Sequence, residues 1–170
     1  MHKHILICGE VGAGKSTAIS KILASTNKHV YGYCTKSLNR RADGYHEIFI
    51  YPPSEPEKAV KIAECDTVHH FADTSVFETV GVELLRSVKP DGIILMDEIG
   101  FMEKDAERFK ALILELLSGE IPIIGAVKAR HPENEFLNRV KNHPNVDLYN
   151  LTEDNRNELA ELLIKEGRFK

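Results

Sequence analysis

The sequence lacks the features that mark membrane, secreted and metal-cluster proteins. The sequence of 170 residues contains no apolar run that approaches the length of about 20 residues that a membrane-spanning helix needs. The first apolar stretch follows His4 so closely that no room is left for a signal peptide. Cys8, Cys34 and Cys65 have no C-x-x-C spacing, which argues against a zinc site and a disulfide framework. We therefore expect a cytoplasmic protein.

The sequence also has no excess of basic residues. Its formal net charge is −4, whereas nucleic-acid-binding domains usually carry a basic face that neutralises phosphates. We therefore do not expect nucleic acid or a membrane as a partner. No internal repeat, low-complexity tract or linker divides the chain, so a single domain over residues 1–170 is expected, as a monomer or a weak homo-oligomer.

The strongest chemical indication lies near the N-terminus. The apolar run Ile5–Cys8 predicts a buried strand, and the segment that follows it fits G-x-x-x-x-G-K-[ST] in full. Glycines at this spacing let the backbone wrap a phosphate chain, so that successive N–H groups point at anionic oxygens. The predicted nucleotide-binding residues here are Gly9, Glu10, Val11, Gly12, Ala13, Gly14, Lys15, Ser16 and Thr17.

Two side chains of this loop have predicted roles of their own. Lys15 is expected to contact the β- and γ-phosphates as a catalytic residue, and the Ser16 hydroxyl is expected to bind Mg²⁺. The helix predicted to begin at Gly14 adds the positive end of its dipole to the same site.

A second apolar run, Gly92–Met96, ends in two consecutive carboxylates. Strands of a parallel sheet place functional groups at their carboxyl ends. Asp97 is therefore expected beside the phosphate loop, as a Mg²⁺ ligand of the Walker B type and as part of the nucleotide site. Glu98 is the predicted catalytic carboxylate that orients or deprotonates an attacking water. A helix-capping loop is the alternative interpretation of this acidic pair.

Strand and helix patterns alternate along the chain and predict an α/β fold of three layers, the P-loop NTPase fold. Its central sheet should be mostly parallel, with helices on both faces and one antiparallel hairpin. The hairpin is predicted from 30–35 and 45–51, turning at Asp43-Gly44. One or two helical turns are predicted over 57–64 and helices over 75–88, 105–118, 135–141 and after Asn155, with further strands over 121–127 and 145–150.

Several basic residues outside the loop have no assigned role. Lys36, Arg40 and Arg41 lie in the predicted hairpin connection, which is either a solvated basic tip or the source of an arginine that lies over the triphosphate. Arg130 is a further basic residue that has no assigned role. The segment 52–74 is rich in proline and its function is open.

These residues together resemble the THEP1-type nucleoside-triphosphatases, called cancer-related nucleoside-triphosphatases in animals. The most telling match is Asp97-Glu98-Ile99-Gly100-Phe101-Met102-Glu103. Gly32–Lys36 with Arg41, Gly44 and Tyr45, then His131-Pro132, and Leu151–Arg156 also match, whereas 51–75 and 128–130 depart from the family pattern. The resemblance implies Mg²⁺-dependent hydrolysis of ATP, GTP and other nucleoside triphosphates to the diphosphate and phosphate, with broad base specificity. It also implies that Gly9–Ser16 hold the phosphates, Asp97 the metal, and that Glu98 is catalytic.

Two other functions share the same motifs. A P-loop kinase would transfer the γ-phosphate to a small metabolite or nucleotide, and would recruit Arg40, Arg41 or Arg130 around an acceptor pocket. A GTP-dependent regulatory switch is formally compatible with Asp97-Glu98-Ile99-Gly100, which fits D-x-x-G. The sequence has no N-K-x-D guanine-binding motif, which disfavours the switch.

Overall fold

The apolar runs of the sequence form the middle of an eight-stranded sheet with the order β5-β4-β3-β2-β6-β7-β1-β8. This computed structural model describes residues 2–100, 102–129 and 134–169. The five strands at one side of this sheet, β2-β6-β7-β1-β8, run parallel to one another. Their ranges are β1 (His4–Gly9), β2 (Val30–Leu38), β6 (Ile93–Ile99), β7 (Ile123–Lys128) and β8 (Val146–Asn150). The predicted α/β fold with a mostly parallel sheet is confirmed.

Helices cover both faces of the parallel part. On one face, α1 (Lys15–Leu23) and α6 (Arg156–Glu166) enclose an apolar cluster. On the other, α3 (Val82–Arg86), α4 (Glu107–Leu117) and α5 (Glu135–Lys141) enclose a second one. Strands covered in this way bury side chains of both faces, and this explains why β1 and β6 are continuous apolar runs in the sequence.

The antiparallel part begins with the predicted hairpin. Strand β3 (His46–Tyr51) pairs antiparallel with β2, with Cys34 opposite Tyr51. Gly44, in the turn, has a φ of +89° and an ideal β-carbon there would lie 2.5 Å from the Thr67 side chain, so only glycine fits without strain. The hairpin is confirmed, and two further strands extend it.

The helical turns predicted over 57–64 are wrong. A 3₁₀ turn at Pro56–Lys58 is followed by strand β4 (Val60–Cys65), which pairs antiparallel with β3. Strand β5 (His70–Ala72), which was not predicted, pairs with β4 in turn. The glutamates, lysines and alanines of this segment favour helix locally, but pairing with the backbone of β3 overrides this weak local preference.

The remaining predicted helices are present: α5 has the predicted bounds, α6 begins after Asn155 as predicted, and the other two have shifted ends. The stretch predicted over 75–88 consists of α2 (Thr74–Val76), a π-helical turn (Phe77–Gly81) and α3. The Asp73 side chain caps it by accepting a hydrogen bond from the Ser75 N–H. Within the described ranges, no helix is both long enough and apolar enough to cross a membrane.

Parallel strands bring their carboxyl ends to one edge of the sheet, and this edge carries the predicted site. Strand β7 lies between β1 and β6, so the strand before the phosphate loop and the strand bearing the two carboxylates are not direct neighbours. In this register Gly9 is opposite Lys128, and Cys34 is opposite Asp97.

Candidate active site

The phosphate loop joins the end of β1 to the start of α1. Gly12 and Gly14 adopt left-handed φ values of +83° and +101°, which non-glycine residues rarely reach. Gly14 is also the N-cap of α1, and its lack of a side chain leaves the first helical turn without a side-chain cap. The amides of that turn can therefore bind an anion together with the helix dipole.

Lys15 is the buried cation of the loop. Its side chain is only 9% exposed, and its Nζ donates to the carbonyls of Gly9 at 2.8 Å and Glu10 at 3.1 Å. The same Nζ lies 3.4 Å from Glu98 Oε2. The loop and the acidic end of β6 are therefore in direct contact, as the sequence predicted.

Asp97 and Glu98 lie where the β6–β7 register shifts, between Met96 and Ile99. The Asp97 carboxylate accepts a hydrogen bond from the Ser16 hydroxyl. Burial raises the pKa of Asp97 above its ordinary value and the nearby Glu98 charge adds to this effect, whereas the Ser16 hydrogen bond and the Lys15 charge oppose it. A cation bound beside Asp97 would offset the poor solvation of its ionised form.

A cavity of about 400 Å³ opens between the loop and β6. The residues that line it are Val11, Gly12, Gly14, Lys15, Ser16, Thr17, Thr35, Asp97 and Glu98. Most of the residues predicted from the motifs thus face one space. The other three predicted residues shape the loop: Gly9 and Glu10 accept hydrogen bonds from Lys15, and Ala13 is buried.

The hairpin arginines are not brought to this cavity. The Arg41 guanidinium lies over the Tyr45 ring at 4.2 Å, and neither Arg40 nor Arg41 is among the lining residues. Arg130, the His131-Pro132 pair and Phe101 lie outside the described residues.

Sequence reasoning assigned no role to two polar residues at the same edge. Thr35, one residue beyond the Cys34–Asp97 pair of the β2–β6 ladder, lines the cavity. Lys128, the last residue of β7, has its Nζ 3.6 Å from Glu98 Oε1. Lys128 ends a strand that is parallel to β6, which is the same signal that pointed to Asp97, whereas no strand-end signal marks Thr35.

Glu103 supports the turn that follows β6. It is only 2% exposed and its Oε1 accepts the Gly100 N–H at 2.7 Å. Burial raises the pKa of Glu103 to about 7, although the hydrogen bond from Gly100 opposes the shift. The predicted motif of residues 97–103 therefore includes one carboxyl that lies in the interior below the site.

The segment after β8 packs against the loop from the other side. A β-carbon on Gly9 would lie 2.6 Å from the Leu151 carbonyl oxygen, and one on Gly14 would lie 3.4 Å from Arg156 Cδ. Glycine at position 9 is therefore required by this close approach. The Leu151–Arg156 segment helps to fix the loop in place.

A glycine-rich loop between a buried strand and a helix, with a buried lysine and two facing carboxylates, defines the class of P-loop NTPases. Comparison with known proteins agrees. Residues 4–164 match the model of the family described as NTPase, and the chain belongs to this family.

The relatives are similar over nearly their whole length. The nucleoside-triphosphatase THEP1 of Thermotoga sp. (strain RQ2) is 27% identical, with 97% of this chain and 95% of that protein covered. The human cancer-related nucleoside-triphosphatase is 26% identical over 94% of this chain and 93% of its own. The crystal structure of THEP1 from Aquifex aeolicus superimposes with a TM-score of 0.76 at 23% identity, covering 96% of this chain and 98% of that one. The resemblance noted in the sequence is thus confirmed.

Proposed function

We propose that this protein hydrolyses nucleoside triphosphates to the diphosphate and phosphate. The observation that carries the proposal is the contact of Lys15 with Glu98 at 3.4 Å across the cavity, beside the Ser16–Asp97 hydrogen bond. This contact places a phosphate-binding cation next to a carboxylate that is able to accept a proton. Family membership and the names of the relatives support the same reaction.

The phosphates are bound by the loop. The backbone amides of Gly12–Ser16 and the amino end of α1 supply donors for the β- and γ-phosphate oxygens, and Lys15 supplies the compensating charge. The cavity is lined by this loop, Thr35 and the two carboxylates, and none of these described lining residues offers an aromatic face for a base. Binding through the phosphates alone supports low base specificity, with ATP and GTP both accepted.

The donors beside the loop fit Mg²⁺. The Ser16 hydroxyl and the Asp97 carboxylate are hard oxygen donors already in hydrogen-bond contact. The described residues contain no group of three or more His, Cys, Asp or Glu side chains able to enclose a metal. Mg²⁺ typically takes one or two protein oxygens and completes its octahedron with phosphate oxygens and water. When bound, it would neutralise charge that develops on the phosphates. Ser16 and Asp97 are the residues that would hold it.

Glu98 is the residue that acts on the attacking water. Its side chain is 23% exposed, so one side of the carboxylate remains accessible from the cavity. The water oxygen forms a bond to the γ-phosphorus while the bond to the β–γ bridging oxygen breaks, and the water proton passes to the Glu98 carboxylate. Lys15 stabilises the charge on the departing diphosphate.

Phosphate release from ATP, GTP, CTP and UTP tests the proposal. We expect all four to be hydrolysed with Mg²⁺ and none with EDTA. Glu98→Gln should lower turnover about 10²- to 10³-fold, as removal of a group positioned at the reacting atoms commonly does, and should preserve nucleotide affinity. Lys15→Ala should lower both turnover and affinity. Glu115→Gln, an exposed carboxylate of α4, is the matched control.

Two outcomes would contradict the proposed roles. Unchanged turnover in Glu98→Gln would mean that a group other than Glu98 accepts the proton. Consumption of the nucleoside triphosphate that occurs only when a metabolite acceptor is added would identify a kinase instead of a hydrolase.

A further inference from the structure

The two oxygens of the Glu98 carboxylate contact two different lysines. Oε2 lies 3.4 Å from Lys15 Nζ, and Oε1 lies 3.6 Å from Lys128 Nζ. The side chains of Glu98 and Lys128 are 23% and 26% exposed, so water screens this pair less than it screens a pair on the open surface. Lys15 has an assigned partner in the substrate. No motif of the sequence accounts for Lys128.

The sheet places Lys128 at the edge that carries the site. Strand β7 separates β1 from β6, and Lys128 is its last residue, opposite Gly9 in the β1–β7 register. The Lys128 stem packs along the backbone at Gly100, where a β-carbon would lie 3.4 Å from Cε. Packing therefore holds the stem in one direction, with the ammonium group beside the Glu98 carboxylate.

Lys15 cannot hold Glu98 throughout a reaction cycle. Its Nζ is shared between two loop carbonyls and Glu98. The β- and γ-phosphates of a bound nucleotide attract the same ammonium group with several negative charges at once. Glu98 then loses the partner on Oε2 and faces a polyanion of its own sign, which repels it from the position where it would accept a proton.

We propose that Lys128 is a positioning residue that keeps Glu98 beside the attacking water after the phosphates have drawn Lys15 away. This inference rests on the proposed hydrolysis and on Glu98 as its proton acceptor. The contact of Lys128 with Oε1 involves the oxygen that Lys15 does not touch, so it persists when Lys15 moves. The strand end that lies between the loop and the carboxylates thus supplies a cation for the enzyme's own carboxylate.

Single-turnover hydrolysis of ATP by four variants tests this role. Lys128→Met should lower the rate at least about tenfold while leaving the affinity for a fluorescent ATP analogue, measured without metal, far less changed. Lys128→Arg should retain more of the rate than Lys128→Met, because it keeps the charge. In a Glu98→Gln background, Lys128→Met should have no further effect, because the carboxylate that it positions has been removed.

The control is Lys141→Met. Lys141 lies at the same corner of the fold and its Nζ donates to the Ala129 carbonyl at 3.4 Å, and its replacement should leave the rate unchanged. Thermal unfolding of each variant checks that the fold is retained, and Lys128→Gln replaces Lys128→Met should the latter not fold.

Three results would overturn the inference. A rate in Lys128→Met within twofold of wild type would show that Glu98 needs no second cation. An equal loss in the wild-type and Glu98→Gln backgrounds would show that Lys128 acts on the phosphates directly. A loss confined to nucleotide affinity would show the same. Absence of hydrolysis by the wild-type protein refutes the proposed function itself, so the two failures are distinguishable.

Discussion

Replacing Glu103 with glutamine should change how the stability of the protein depends on pH. The Glu103 carboxyl is buried and accepts the Gly100 N–H, and its pKa is raised from 4.5 to about 7. Between these two values the native protein keeps the carboxyl protonated while the unfolded chain ionises it. The unfolded state then binds fewer protons than the native state, so the free energy of unfolding falls as pH rises.

The size of the effect follows from the shift. A raise from 4.5 to about 7, at 1.36 kcal/mol per pKa unit, corresponds to about 3 kcal/mol of stability lost between acid and neutral pH. Glutamine has the same shape, offers the same acceptor to Gly100 and does not ionise. Glu103→Gln should therefore be about as stable as wild type near pH 4.5 and more stable than wild type by about 3 kcal/mol near pH 8.

Urea unfolding of both proteins at pH 4.5, 6 and 8, without nucleotide, measures this difference. The other titrating groups are the same in both proteins, so their contributions to the free energy of unfolding cancel when one value is subtracted from the other. The quantity to follow is the stability of Glu103→Gln minus that of wild type. A difference that stays constant from pH 4.5 to 8 would refute the reasoning, because it would mean that Glu103 ionises alike in both states.

Two further substitutions test individual contacts. Tyr33 is 1% exposed, and its hydroxyl has no hydrogen-bond partner in the described parts of the chain. Tyr33→Phe should therefore raise the free energy of unfolding, measured by urea titration, by about 1 kcal/mol. A loss of stability would contradict this prediction. Gly9→Ala should lower the free energy of unfolding by about 1–3 kcal/mol, because its β-carbon would lie 2.6 Å from the Leu151 carbonyl oxygen; an unchanged thermal midpoint would show that the Leu151 segment can move aside.

The phosphate loop was predictable because its neighbouring residues in sequence are also neighbours in space. The whole phosphate loop is one contiguous segment, and its glycine, lysine and serine spacing follows from the shape of a phosphate chain. Asp97 was found because it ends an apolar strand, and parallel strands end at one edge. That topological rule predicted the two acids beside the loop, and the structure adds the individual contacts, such as that of Lys15 with Glu98.

The missed and wrong parts depend on partners distant in sequence. Lys128 also ends an apolar strand, yet its position beside Glu98 depends on the order of the strands, which places β7 between β1 and β6. The error at 57–64 has the same origin. Those residues favour helix by composition, and only the free edge of β3 made them a strand. The buried Glu103 could be matched to a motif, but its raised pKa depends on the burial that the fold creates.

The insertion of β7 between β1 and β6 also links ligand binding to completion of the sheet. The two halves of the site belong to strands that do not touch, and the strand that joins them, Ile123–Lys128, comes late in the chain. A partly folded form that had assembled its earlier strands alone would hold the loop and the acids at no fixed separation. A nucleotide that bridges them binds only the finished arrangement, and it therefore stabilises that arrangement in proportion to the logarithm of its concentration.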